Sequence, residues 1–417
     1  MSFNFIPFHD VNFDNVLINS VWGNTSSKEE KIHRIHSYPA KFPAFITTEA
    51  IKRARLQNGK IKRIGDIFCG CGTVAFEAKK EGLDFWGCDI NPVAILIARV
   101  KSNTYNVEIL KQTYESIKNG FNNKIEPNYE SSNTRIQYWF TKSSFEKLTI
   151  IKNSIVKNSQ EEYQEFFLCA FSNILKKSSR WLNRSIKPQI DPNKKEIDIF
   201  KQFDNQVKQM IMAFRELQGD NIDKKNIIEK GDFLTLQNPP KLDMIITSPP
   251  YVTSYEYADL HQLSSLWLEY AENWTDLRKG SIGSMYDYNN HNFDNLNEIG
   301  SQIVDELNTK DEKRTAKSVA KYYIDMQNVA KKTFKMLKKE GLALFVIGNT
   351  EYKNVRIDNA KHLVYSLYEA GFTKFVIEKR NITNKILTPY RDSNGKFTSD
   401  KTSRKIYAEE FVIVGKK

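Results

Sequence analysis

The chain has 417 residues, enough to bury a large core in one domain with insertions or in two domains. A hydrophobic share of 40% and an aromatic share of 12% exclude an intrinsically disordered chain. The 62 Lys and Arg against 50 Asp and Glu leave a formal net charge of +12, which attracts polyanions, nucleic acid first among them. Cys69, Cys71, Cys88 and Cys169 lack the Cys-x-x-Cys spacing of a zinc site and read as reduced core residues; no metal is expected. No apolar run reaches bilayer length, so no membrane association is expected. Met1-Ser2-Phe3-Asn4-Phe5 lacks the charged and then apolar order of a secretory signal, and the expected location is cytoplasmic.

Residues 1–35 are polar and irregular. The aromatic-rich stretch His36-Ser37-Tyr38-Pro39-Ala40-Lys41-Phe42-Pro43-Ala44-Phe45-Ile46 then leads into a helix predicted to run to about residue 55. Residues 61–68 alternate into a strand. Cys69-Gly70-Cys71-Gly72-Thr73 follows, with a helix predicted over 74–80 that stops at Gly82. Strand, Gly-x-Gly turn and helix form the nucleotide-binding opening of a doubly wound sheet. The glycines let the backbone approach a ligand, and the helix start offers free N–H groups. Phe76 stands where the third glycine of the dinucleotide fingerprint would be. The next strand, 84–88, ends in Asp89, and Asn91-Pro92 starts a helix over 93–101. An acid at that strand tip suits a ribose diol; its place after a Gly-x-Gly unit favours this over the competing role of helix N-cap.

From 105 to 226 the alternation of strand and helix lapses. Phe145, Leu148, Ile151 and Ile155, then Phe203, Val207, Met210 and Phe214, recur at helical spacing, so this is a mostly helical insertion. Its middle, 176–195, concentrates Lys and Arg. Trp181 between Arg180 and Arg184, with Lys187 nearby, suggests nucleic-acid contact. The alternation resumes with a strand from 226 that ends at Asp232, either a turn aspartate or a ligand. Residues 242–246 read as a short buried strand, and Thr247-Ser248-Pro249-Pro250-Tyr251 follows directly. Two prolines after a strand end its ladder and stiffen the turn. The turn offers a hydroxyl, a carbonyl and an aromatic ring, a socket for a flat base bearing an exocyclic amine. Beyond it come a helix over 259–270, a long polar loop over 272–318 and a helical stripe from Met326 to Leu337. Strands are predicted at 342–347, 374–377 and 411–414, with a helix around Leu363 and Leu367. A basic hairpin extension is predicted over 380–405.

Thr-Ser-Pro-Pro-Tyr resembles motif IV of the DNA amino-methyltransferases, in the form of their N4-cytosine branch. Four further segments resemble motifs of the same family in the same order: 36–46 (motif X), Asp66 to Thr73 (motif I), Asp89 (motif II) and Asp232 (motif III). The resemblance implies a class I, Rossmann-like, seven-stranded α/β fold and S-adenosylmethionine as cofactor. It places Tyr38, Lys41, Phe42, Asp66, Phe68, Gly70, Gly72, Thr73, Asp89, Ile90 and Asp232 at the cofactor, and Ser248, Pro249, Pro250 and Tyr251 at the target base. The implied division is a cofactor-binding half over 1–104, the insertion 105–226 as candidate DNA-reading region through Arg180, Trp181, Arg184 and Lys187, and a catalytic half over 227–417. The implied activity is methylation of cytosine N4 in double-stranded DNA, with a restriction endonuclease acting separately on the same site. Methylation of adenine N6 and a non-catalytic DNA-binding role on the same fold are the alternatives.

Overall fold

The strand ends that matter for function lie along one edge of a central sheet. The computed structural model describes residues 2–23, 29–39, 41–122, 127–217, 224–252, 257–284, 295–381, 390–391, 398, 400, 404–405 and 410–417. Its sheet contains β1 (Arg63–Asp66), β2 (Asp84–Asp89), β3 (Asn226–Lys230), β4 (Leu242–Thr247), β5 (Leu337–Gly348), β6 (Lys374–Arg380) and β7 (Glu410–Lys416). They pair in the order β3-β2-β1-β4-β5-β7-β6, and Ile6–Pro7 adds a short edge beyond β6. Strands β1 to β5 pair in parallel, whereas β7 runs antiparallel to both β5 and β6. This is the class I methyltransferase sheet, reversed strand included.

Helices cover both faces, which is why Met244, Ile245 and Ile246 of β4 are apolar without alternation. Met244 and Ile246 pack with α1 (Ala44–Gln57), α2 (Thr73–Lys80) and α3 (Pro92–Ser102) on one side. The insertion supplies α4 (Val107–Asn119), α5 (Thr134–Trp139), α6 (Lys142–Asn158), α7 (Glu161–Ser178) and α8 (Ile199–Arg215). After β4 come α9 (Tyr257–Leu260) and α10 (Gln262–Trp267). Ile245 faces the opposite side of the sheet, against α11 (Glu298–Thr309), α12 (Lys313–Met336) and α13 (Asn359–Glu369). The insertion has its own core, as its periodicity predicts, but that core also takes in Val93, Leu96, Ile97 and Val100 of α3 and Leu263, Leu266 and Trp267 of α10. It is built onto the helices that flank the sheet rather than tethered to them.

Two sequence expectations are corrected. The stretch 272–318 is not one loop: the Asn297 side chain caps α11 by accepting from the Gly300 amide (2.9 Å), and Ile299, Ile303 and Leu307 are buried at four-residue spacing. Residues 285–294 of that stretch lie outside the described residues. The single helix predicted over 259–270 is two short ones, α9 and α10, separated by His261. Of the basic extension, Tyr390–Arg391 pairs antiparallel with Arg404–Lys405 as a hairpin requires, and most of the rest lies outside the described residues.

Gly72 sits at the start of α2 with a left-handed φ of 73°, and a methyl group there would lie 2.7 Å from the Ala98 Cα and Cβ of α3. Glycine is therefore required twice, by conformation and by helix spacing. Gly72→Ala is expected to lower stability by about 1–3 kcal/mol, measured by chemical unfolding. Unchanged stability would mean that α2 and α3 give way at no cost.

Candidate functional site

Five parallel strands end side by side at the carboxyl edge of the sheet, where β1 and β4 are neighbours and the chain leaves them in opposite directions. In open α/β sheets this switch point opens a crevice for ligands. Asp66, the last residue of β1, is buried there, and its Oδ1 accepts from Thr247 Oγ1 at the end of β4 (2.6 Å) and from the Phe68 amide (3.0 Å). Burial pushes the Asp66 carboxyl up to about 7; the Thr247 and Phe68 hydrogen bonds oppose the rise and the neighbouring Asp89 carboxylate adds to it. Phe68 stands half-buried beyond it, edge-on to Phe233.

The glycine turn departs from β1 with left-handed φ at Gly70 (48°) as well as Gly72. Asp89, at the tip of β2, accepts from the Gly70 amide through Oδ2 (2.8 Å) and from the Asn91 amide through Oδ1 (2.8 Å). The N-cap of α3 is Asn91, whose side chain accepts from Val93 N and Ala94 N. Asp89 is thus not the helix cap, and its carboxylate fixes the turn instead. Burial raises the Asp89 pKa, opposed by these backbone amides. Thr73 opens α2 and is buried; Ile90 is half-exposed beside Asp89. Asp232 serves its turn, with Oδ1 accepting from the Leu234 amide (2.9 Å). The chain at Gly280 closes against this corner: a methyl group on Gly280 would meet Ile90 Cδ1 at 3.0 Å and Asp232 Oδ2 at 3.8 Å.

Ser248 and Pro250 are partly exposed beyond Thr247, and Pro249 is buried. The Tyr251 ring is half-buried, and its hydroxyl donates to Glu410 Oε1 (2.7 Å) at the start of β7. Of the motif X residues, Tyr38 lies against Gly70 and stacks on His261 (5.0 Å between centroids, 21°). Burial lowers the His261 pKa to about 3, so the ring is neutral. Phe42 packs into the core beside α1. Lys41 bonds to Glu29 (2.6 Å) and to the His33 carbonyl (3.0 Å). Glu29 and His33 line a cavity of about 400 Å³ that shares no lining residue with the glycine turn or the proline turn.

Gln262, next to His261, is fully buried and joins the insertion to this region. Its Oε1 accepts from Arg135 Nε (2.8 Å) and Trp139 Nε1 (2.9 Å), both on α5. Arg135 lies over Tyr138, Trp139 and Trp274, and Arg278 covers Trp274 and forms a two-pronged pair with Asp259. The pairings of Gln262 with Trp139 and of Arg135 with Trp274 carry no local sequence signal, since the partners lie 123 (262 − 139) and 139 (274 − 135) residues apart. The basic run is corrected in one residue. Trp181 is buried, stacked on Trp139 (5.0 Å, 22°), and donates to the Ser185 carbonyl, so it offers no face to nucleic acid. Arg180, Arg184 and Lys187 are exposed around it, and the Arg180 amide donates to the Trp139 carbonyl (2.8 Å). Among the described residues no group of three or more His, Cys, Asp or Glu could hold a metal ion, and no helix is long and apolar enough to cross a membrane.

Residues 9–100 match the family model described as DNA methylase. The chain is similar to the Type II methyltransferase M.MvaI of Kocuria varians, 29% identical over 87% of this chain and 89% of that protein. It is also similar to the Type II methyltransferase M.BsoBI of Geobacillus stearothermophilus, 27% identical over 58% of this chain and 54% of that protein. Among solved structures, the rRNA methyltransferase aviRa of Streptomyces viridochromogenes covers 81% of this chain and 92% of its own, at 10% identity and a TM-score of 0.30. At that score the likeness carries no argument.

Asp66 binds its proton more tightly in the folded chain (about 7) than at its ordinary value of 3.8. Its contribution to stability is present below pH 3.8 and is lost as pH rises to about 7. Asp66→Asn is expected to flatten this part of the stability profile and to gain on the parent protein above pH 7. Identical slopes for the two proteins in unfolding titrations would contradict the assignment.

Proposed function

We propose that this chain is a member of the DNA amino-methyltransferase family and that it methylates the N4 amine of cytosine in double-stranded DNA, using S-adenosylmethionine. The observation that carries the reading is the Asp66–Thr247 hydrogen bond. It joins the glycine turn, suited to a nucleoside cofactor, to the Ser-Pro-Pro-Tyr turn, suited to an amine-bearing base. The fit to the cofactor rests on Gly70, Gly72 and Asp89. The left-handed turn lets backbone approach, and the Asp89 carboxylate at the second strand tip suits a ribose diol. Tyr38 lies against that turn, Phe68 and Thr73 flank it in the chain, and Asp232 and Ile90 border the corner closed by Gly280. The similarity to Type II methyltransferases supports a place beside a restriction endonuclease that cuts the same site.

The cofactor supplies an electrophilic methyl group on a sulfonium. The chain's part is to position the amine and stabilise its charge. The N4 lone pair of cytosine is delocalised into the ring and is a poor nucleophile. Ser248 and the Pro249 carbonyl accept hydrogen bonds from the two amine N–H groups, which favours a pyramidal nitrogen and directs its lone pair. Pro249 and Pro250 hold these acceptors in place. The base leaves the DNA stack to reach the turn, and Tyr251 gives it a new aromatic partner. The insertion contacts the DNA through Arg180, Arg184 and Lys187.

Digestion of DNA treated with the protein and labelled S-adenosylmethionine is expected to release N4-methylcytosine. Label in N6-methyladenine alone would overturn the base assignment. Asp89→Ala is expected to weaken cofactor binding by about 1–3 kcal/mol, and unchanged affinity in calorimetry would remove Asp89 from the site. Arg180→Ala and Arg184→Ala, titrated on cognate and mismatched duplexes across salt, separate two roles. A lost phosphate contact lowers the salt slope by about one, and a lost base contact relaxes discrimination at one position by about 1–3 kcal/mol. Parental binding on every duplex would exclude both arginines from the interface.

A further inference from the structure

The Tyr251 hydroxyl reaches a pair that closes the base of the 381–409 excursion. Glu410 and Arg380 are direct partners in the register of β7 and β6. Glu410 Oε2 accepts from Arg380 Nη1 at 3.2 Å, and its Oε1 accepts from Tyr251 at 2.7 Å. Arg380 is 7% exposed, its Nε is buried without a hydrogen-bond partner, and its guanidinium lies 5.7 Å from the Phe45 ring of α1. The arginine occupies Oε2, and the phenol satisfies the remaining oxygen of the pair, Oε1. The same bond ties down the tyrosine. Its Cα follows two prolines, and its hydroxyl is fixed to a residue inside a three-strand ladder, so the ring is held at both ends.

We propose that Glu410, backed by Arg380, is a positioning residue for Tyr251 that fixes the ring in the plane on which the target base stacks. This rests on the reading of Tyr251 as the base's partner. The carboxylate touches neither base nor cofactor and acts through the phenol. A ring oriented beforehand needs no ordering when the base arrives, and side chains locked by such supporting bonds hold a site to the tolerance that transfer requires.

The test compares Tyr251→Phe, Glu410→Ala, Glu410→Gln and the Tyr251→Phe/Glu410→Ala double variant in the full chain. The readouts are kcat, the KM for S-adenosylmethionine, and the fluorescence of pyrrolocytosine placed at the mapped target position. Tyr251→Phe and Glu410→Ala are each expected to lower kcat about 10-fold, as the loss of one such hydrogen bond would. The cofactor KM should stay unchanged, and the fluorescence of the extruded base should shift alike in both. Glu410→Gln, whose amide oxygen still accepts from the phenol, should recover most of the rate. The double variant should be no slower than either single one, because both break the same bond. Multiplying losses in the double variant, or a parental kcat in Tyr251→Phe, would overturn the proposal. If Glu410→Ala fails to fold because Arg380 is left unpaired, Tyr251→Phe keeps the ion pair and decides the question. Full activity in Tyr251→Ala would instead remove the underlying reading of the base site.

Discussion

The hydrogen bond between Asp66 and Thr247 is the constraint on which the site depends. It joins the carboxyl ends of adjacent strands at the point where the chain departs in opposite directions, to the glycine turn after β1 and to the proline turn after β4. Both groups are buried, so each would be costly to leave unpaired. Asp243 makes the matching tie at the other end of the same strand pair, with Oδ2 accepting from the Lys62 and Arg63 amides. Register between β1 and β4 is thus fixed twice, and with it the spacing of the two turns.

The insertion is tied to the same region. Its core is continuous with α3 and α10, and Ser172 of α7 donates to Ser264 of α10 (2.7 Å). Tyr38 covers the glycine turn on one side and His261 on the other, while Gln262 holds Arg135 and Trp139 of α5. A continuous series of packed rings and hydrogen bonds therefore runs from the glycine turn to the surface that bears Arg180 and Arg184. DNA bound on that surface would lie a few side chains from the glycine turn. This gives a physical reason for placing an insertion in the middle of a sheet.

Much of this was legible in the sequence wherever a residue's role is local. Strand, glycine turn and helix form a contiguous signal, and Gly70 and Gly72 adopt the left-handed conformations that only glycine favours. The seven strands followed from short apolar or alternating runs, and the helical stripes of α6 and α8 from the spacing that burial on one helix face imposes. What was not legible depends on long-range pairing. Composition made Trp181 look like a nucleic-acid contact beside two arginines, but its stacking partner, Trp139, lies 42 residues away (181 − 139). The helix α11 was hidden because only three of its large apolar residues, Ile299, Ile303 and Leu307, are buried, in a stretch otherwise rich in polar ones. Asp89 and Asn91 were competing candidates for one cap, and only the hydrogen bonds assign it to Asn91. Nothing near Tyr251 in the chain points to Glu410.

The most direct measurement removes the Thr247 hydroxyl and follows both halves of the site at once. Thr247→Val keeps the shape of the side chain and leaves every residue assigned to cofactor or base in place. If the Asp66–Thr247 bond sets the spacing of the two turns, S-adenosylmethionine affinity and the single-turnover rate of methyl transfer should fall together, each by about 5- to 10-fold, the scale of one buried hydrogen bond. A Thr247→Val protein that binds the cofactor and transfers its methyl group at parental levels would contradict the claim that this bond holds the site together.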